Sequence, residues 1–273
     1  MDVGGQSGAP GSRAFGAGDV HAPDAEGASL RARLTIINAD DWGYDAESTD
    51  RALECLLANR ITSMSAVVHM SDSRRAARVA VERSVGPIGL HLNITEPYAD
   101  VSVPASVRER QSRIAGYFSS RRLQRWAYNP RLHKAIRDVV QDQLAAFHEA
   151  YGRAPDHLDG HHHAHLYPNV LLDGGIPAGL PVRPSFTFLP GQKAPLNRAV
   201  RRAINGLLGR SHPATDYFFD IAHFRDLAYV KDLSRSTVEL MAHPARPHDR
   251  ELLMSDAWRR LSEAWTLGSY SEL

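Results

Sequence analysis

Apolar and polar positions change their period repeatedly along this chain. Leu34-Thr-Ile-Ile-Asn38 is a short aliphatic and β-branched run ending on a polar residue, which predicts a buried strand. Residues 46–58 switch to helical spacing, with Ala52, Leu53, Leu56 and Leu57 along one side. Ser65 to His69 and Pro87 to Ile94 predict two further strands, and Ser71 is placed to cap a helix over 72–83 between them. Ile136, Val139, Val140, Leu144 and Phe147 recur at three and four, so 131–151 predicts a helix that Gly152 ends. Short strands at 156–159, 217–219 and 237–241 follow, with helices near 196–208 and 255–266. Strand and helix alternating at this pitch predict an α/β fold, either a parallel sheet or a barrel.

Two stretches depart from that rhythm. Residues 1–30 hold seven glycines and six alanines, with Pro10 and Pro23 and no apolar period. Such a segment buries too little surface to offset its ordering entropy, so a flexible or disordered tail is expected, followed by one domain over 31–273. Residues 96–130 predict a long loop with short helices, and no repeat or linker divides the remainder.

Composition removes several function classes. The 273 residues carry 32 Lys and Arg against 31 Asp and Glu, a formal charge of +1. A duplex-DNA binder needs a concentrated basic surface to neutralise phosphates, so nucleic acid is not expected as a partner. No apolar run reaches the roughly 20 residues that cross a bilayer, and the start lacks the pattern of an export signal. The single Cys55 allows no intrachain disulfide. A soluble, cytoplasmic protein is the expectation. Histidine changes the picture most: there are fourteen, and five of them fall between His157 and His165. Neighbouring imidazoles repel once protonated, so this density points to a metal or to carboxylate partners.

Parallel α/β folds gather their chemistry where strands end. Four predicted strand ends carry suitable groups: Asp40 and Asp41, His91, Asp159-Gly-His161-His-His-Ala-His165, and His243-Pro244. Taken singly, an Asp pair is commonly a turn or cap, a lone strand histidine a core residue, and His-Pro a turn. Together they supply an Asp and two His for a catalytic divalent ion, an N2O set that suits Zn, Co, Ni or Mn and accepts Mg. Adjacent aspartates on a strand point apart, so one can reach the ion while the other reaches the water it activates. Asp159 is placed to orient a histidine ligand.

The four motifs resemble a known family. Ile37-Asn-Ala-Asp-Asp-Trp-Gly43, Gly89-Leu-His-Leu-Asn93, His157-Leu-Asp-Gly-His-His-His-Ala-His165 and Glu239-Leu-Met-Ala-His-Pro244 are similar, in order and spacing, to the YdjC-like carbohydrate deacetylases, the chitooligosaccharide and hopanoid-associated group. The resemblance runs from about Arg33 to the C-terminus. It implies a single-domain distorted (β/α) barrel with a metal site at the C-terminal ends of the strands. It also implies hydrolysis of an N-acetyl group, or another acyl group, from an amino sugar or glycan. Carried over by position, Asp41, His91 and His161 hold one divalent ion, Zn or Mg first with Co, Mn or Ni as alternatives. Asp40 is then the general base, and His243 protonates the departing amine or supports the tetrahedral intermediate. Asp159, His163, His165 and Trp42 are expected around the ligands or at the substrate. Members are often dimeric, so a homodimer is expected. Trp42 stands where the family usually has Phe, Gly160 where it usually has Ser, and 96–130 matches no member.

Two arginine groups bear on the substrate. Arg108, Arg110, Arg113, Arg121, Arg122 and Arg125 alternate with Tyr117, Phe118 and Trp126, while Arg198, Arg201, Arg202 and Arg210 border Leu196, Val200, Ile204 and Leu207. Each group can be a solvated face, and the sharper reading is contact with an anionic or lipid-linked glycan at a membrane surface. Three competitors to the deacetylase are a metal phosphoesterase, a non-catalytic sugar-binding relative and a metal-sequestering protein. The first needs more carboxylates, the second a missing ligand or base, and the third several ions per chain.

Overall fold

The computed structural model describes residues 31–120 and 122–273, Arg122 by its backbone alone. The tail expected over 1–30, and Arg121, lie outside the described residues. Six strands, β1 (Leu34–Trp42), β2 (Ser63–Ala66), β3 (Ile88–Leu92), β4 (Leu158–Gly160), β5 (Tyr217–Asp220) and β6 (Thr237–Ala242), form one parallel sheet in the order β4-β3-β2-β1-β6-β5. Among the described residues eight α-helices connect and flank them: α1 (Ala46–Leu57), α2 (Ser73–Glu82), α3 (Ala105–Ser120), α4 (His133–Tyr151), α5 (Pro168–Asp173), α6 (Pro195–Leu208), α7 (Pro247–Met254) and α8 (Asp256–Ser262). β1 lies within the sheet and is buried along almost its whole length, which is why its first four residues are aliphatic or β-branched rather than alternating with charged ones.

The sheet curls into a distorted barrel, and an irregular segment closes the gap between its outer strands. Val182 bridges Leu158 of β4 in parallel, Arg183 N–H donates to the Leu158 carbonyl, and Thr187 N–H donates to Phe218 of β5. Pro181 and Pro184 flank this stave, and proline cannot donate to a ladder, so the pairing stays too sparse to count as a strand. The C-terminal segment docks on the far side of the core: Thr35 N–H donates to Thr266, and Gly268 N–H to Thr35. That contact packs Tyr270 and Leu273 against Leu34 and Ile36.

Several helices follow the apolar spacing directly. α4 buries Ile136, Val139, Val140, Gln143, Phe147 and Tyr151, and Gly152 ends it in a left-handed cap at φ 68°. Gln143 is the polar member of that stripe because its amide clamps the chain just past β3: it accepts from Asn93 N–H and donates to the Asn93 carbonyl, both at 2.8 Å.

Three expectations need correction. The stretch 96–130 contains α3, a helix of 16 residues, rather than a loop with short helices. Its buried stripe is Gln111, Ile114, Ala115 and Phe118, in which a glutamine and an alanine dilute the apolar signal. Ser71 does not cap α2, since its hydroxyl donates to the Tyr44 carbonyl and Asp72 occupies the cap position. The second strand stops at Ala66, because His69 lies in the left-handed region at φ 65° and turns the chain away.

Candidate active site

Every group singled out at a strand end projects to one end of the barrel. The register does this work: β1 and β6 pair Ala39 with Ala242, which puts Asp40 beside His243, and β3 and β4 pair His91 with Asp159. β1 continues through Asp40 and Asp41, but a bulge between Ala39 and Trp42 places Asp41 at φ 66°. The left-handed residue breaks the alternation of the strand and turns the Asp41 carboxylate toward the mouth.

Asp41 is the hub. Its Oδ1 lies 3.3 Å from His91 Nε2 and 3.1 Å from His161 Nδ1, and its Oδ2 lies 3.8 Å from His243 Nε2. One ligand atom each from Asp41, His91 and His161 falls within 4.8 Å of the others, a donor set that fits a divalent ion. Burial alone would raise the Asp41 pKa, but hydrogen bonds from His161 and His91 hold it well below the usual carboxylate range. His91 is buried, which favours its neutral form, yet Asp159 and Asp40 reverse this and push its pKa well above 6.5. Its Nδ1 makes a 2.7 Å bond to Asp159 Oδ1, fixing the ring so that Nε2 faces Asp41. Asp159 therefore orients His91 on the neighbouring strand rather than a histidine of its own segment.

Behind the hub sits a residue that strand-end reasoning does not find. Arg183, on the closing stave, is fully buried among three carboxylates. It donates to both oxygens of Asp40 at 2.6 and 2.8 Å, to Glu239 Oε1 at 2.7 Å, and lies 2.6 Å from Asp159 Oδ2. Burial would raise the Asp40 pKa; Arg183 overrides it and keeps the group ionised. Asn38 Nδ2 also donates to Asp40 Oδ1, which leaves Oδ2 with an acceptor position free. Glu239, sharing the same arginine, is pushed up to about 7 by burial and receives a hydrogen bond from Tyr270. Asp40, His91 and Asp159 also cluster, but Arg183 already supplies their positive charge.

The histidine cluster divides into different tasks. His161 faces Asp41, and the two residues after it, His162 and His163, both hold left-handed backbone at φ 54° and 55°. This pair of left-handed residues presents His161 to the mouth, keeps the His162 ring against it and turns the His163 ring toward Phe186. His163 packs edge-on against Phe186 at 4.6 Å, and His165 bonds the Arg183 carbonyl through Nε2 at 3.0 Å. Burial lowers their pKa values to about 3 and 4, so both stay neutral and the expected mutual repulsion does not arise. A Cβ on Gly160 would sit 2.8 Å from His165 N, which explains the glycine before His161. Trp42 is fully buried in the main core, so its indole offers no face to a substrate.

His243 occupies the opposite side of the hub. Its backbone N–H donates to Asp249 Oδ2 at 2.8 Å, and burial lowers its pKa, so it rests neutral. Asp249 also lines a cavity of about 700 Å³ that includes Phe186, Phe219, His223, Arg246 and His248. Apolar rings set beside charged and polar groups suit a ligand that is hydroxylated on its edges and apolar on its faces. Of the arginines noted in the sequence, Arg110 is engaged by Asp138 and Asp142. α6 leaves Leu196, Val200 and Leu207 exposed. No helix among the described residues is long and apolar enough to cross a membrane.

The sequence profile of the YdjC-like proteins matches residues 34–270. A carbohydrate deacetylase of Geobacillus stearothermophilus is 33% identical, over 78% of this chain and 80% of its own. A carbohydrate deacetylase of Mus musculus is 28% identical over 87% and 88%. A chitooligosaccharide deacetylase of Serratia marcescens is 27% identical over 78% and 82%. The crystal structure of an Enterococcus faecalis V583 protein, named as a candidate cellobiose-phosphate cleavage protein, superposes with a TM-score of 0.63 at 21% identity. It covers 88% of this chain and 98% of that one, so the two share the fold.

Proposed function

The chain belongs to the YdjC-like family, and we propose that it hydrolyses the N-acetyl group of an amino sugar, free or within a glycan, with one divalent metal ion. The observation that carries this reading is the convergence of Asp41, His91 and His161 within 4.8 Å, with Asp40 and His243 on either side. The donor set fits Zn, Co, Ni or Mn and accepts Mg. Asp41, His91 and His161 would hold the ion, which when bound polarises the amide carbonyl and lowers the pKa of water towards neutrality.

The chain's own groups supply the rest. Asp40 is held ionised by Arg183 and takes the proton of the attacking water at its free Oδ2 position. Arg183 weakens Asp40 as a base, so the site depends on an acidified water for this transfer. Amide cleavage also requires a proton on the leaving nitrogen, since an unprotonated amine anion does not depart. His243, neutral at rest, accepts the proton that Asp40 has taken from the water and delivers it to that nitrogen, which returns Asp40 and His243 to their starting states. Asp159 keeps His91 in the tautomer that presents Nε2, and burial keeps His163 and His165 from competing for protons.

The cavity lined by Phe186, Phe219 and Arg246 takes the sugar rings beyond the reacting one. A lipid carrier or anionic surface is supported by α6, whose exposed Leu196, Val200 and Leu207 alternate with Arg198 and Arg202. Co-sedimentation with anionic vesicles at low salt tests that part, and no binding removes it. For the reaction itself, acetate release is measured from a panel of N-acetylated sugars with and without chelator. Chelator-sensitive release supports the reading; no acetate from any substrate with metal restored defeats it.

A further inference from the structure

His161 has two ring nitrogens, and the proposed metal centre uses only one. Nδ1 faces Asp41, so Nε2 must carry the proton if Nδ1 is to offer a lone pair. That Nε2 is buried and has no hydrogen-bond partner, and the carboxylate in front of it is Glu96, at 3.4 Å from Oε1. A buried N–H left unpaired costs about 1–3 kcal/mol, so the arrangement favours closing this gap. We propose that Glu96 is the positioning residue for His161, as Asp159 is for His91, and that Tyr44 holds Glu96 in place. The inference rests on the metal-centre reading.

The surroundings of Glu96 fit that task. Tyr44 Oη donates to Glu96 Oε2 at 2.7 Å, and the Tyr44 ring stacks on His161 with centroids 5.5 Å apart. One residue therefore fixes both the carboxylate and the face of the imidazole. His162 packs on His161 at 4.1 Å and is braced through Nδ1 by Thr95 Oγ1 at 3.1 Å. The Glu96 backbone is set independently of its side chain: its N–H donates to Asn93 Oδ1, and its carbonyl accepts from Asn93 Nδ2 and Gln111 Nε2. Gln111 belongs to α3, so the helix found in the 96–130 stretch supports the second histidine ligand. Both histidine ligands would then be backed by a carboxylate, one buried and one at the rim, where Glu96 keeps a third of its side chain exposed. Partners of this kind fix ring orientation and ligand basicity.

The experiment is a Zn²⁺ and Co²⁺ titration of chelator-stripped protein, with melting of the metal-free forms recorded alongside. Glu96→Ala is expected to weaken binding of either ion about 10–100-fold. Glu96→Gln should fall between Ala and wild type, because its amide oxygen still accepts from Nε2–H. Tyr44→Phe should weaken binding less than Glu96→Ala. The metal-free melting temperature should move by only about 1–2 °C, as for a surface substitution. Wild-type affinity in Glu96→Ala overturns the inference and leaves the metal centre standing. So does an affinity loss accompanied by a drop of more than about 5 °C in the metal-free protein. A wild-type chain that binds neither ion removes the metal centre and the inference together.

Discussion

Replacing Arg183 with Met removes the only cation that touches Asp40, Asp159 and Glu239 among the described residues, while keeping a side chain of similar length. Three carboxylates with exposures of 0–2% then face one another with His91, at Asp159, as the positive partner that remains. Their escape is protonation, and that sets the size of the effect. Glu239 already titrates near 7 and yields its proton balance cheaply. Asp159 keeps His91 as a partner, so Asp40 bears most of the loss. Holding an aspartate protonated at pH 7, about three units above its ordinary value, costs about 4 kcal/mol at 1.36 kcal/mol per unit. This agrees with the 3–5 kcal/mol typical of a broken buried ion pair. At about 2–4 °C per kcal/mol, melting should fall by roughly 8–16 °C at pH 7.

The pH dependence is the sharper part of that prediction. In the wild type Asp40 has a lowered pKa, so its contribution is present above the unfolded value and lost only in acid. In the variant burial raises the same group, so stability is lost as pH rises above about 4. Between pH 4 and 7 the wild-type contribution is constant, so the variant alone widens the gap, by about 1.4 kcal/mol per unit. Circular dichroism melts of the metal-free proteins from pH 5 to 8 measure it. A shift under about 2 °C at pH 7, or an equal shift at pH 5 and pH 7, would refute the assigned role of Arg183.

Three further outcomes are expected. Asp40→Asn should lower acetate release about 10²–10⁴-fold while binding metal within a few-fold of wild type, and a near-wild-type rate removes Asp40 as the base. Gly89→Ala should cost about 1–3 kcal/mol by overpacking, because its Cβ would lie 2.3 Å from the His157 ring; an unchanged melt contradicts the packing described. Metal affinity should fall as pH falls, since Asp159 and Asp40 favour a proton on His91 that an ion at Nε2 must displace. Calorimetry in buffers of different ionisation heat reads the released proton, and a pH-independent affinity argues against His91 as a ligand.

Much of the barrel was legible because its central strands are short apolar runs ending on chemistry-bearing residues. Asp40, Asp41, His91, His161 and His243 each sit at or just past such an end, and parallel registers bring those ends together. Arg183 was not legible. It lies between prolines on a stave with no periodic pattern, and its partners Asp40 and Glu239 are 143 and 56 residues away. Only the excess of buried acid at one barrel end hinted that a buried cation was required. Glu96 was hidden similarly, at the start of a stretch whose one helix has a half-polar buried stripe. The density of histidines from His157 to His165 pointed to a metal or carboxylate partner, but burial keeps His157, His163 and His165 neutral. Trp42, expected around the ligands or at the substrate, is buried in the core, and nothing in the local sequence shows the bulge after Ala39 that precedes it.

The central claim is that one ion, held by Asp41, His91 and His161, serves Asp40 and His243 in removing an acetyl group. Titrating chelator-stripped protein with Zn²⁺ or Co²⁺ while measuring acetate release from an N-acetylated amino sugar tests it most directly. The rate should rise from background in proportion to added ion and level off at about one equivalent per chain. A rate indifferent to the ion, or one that climbs through two or more equivalents, would contradict it.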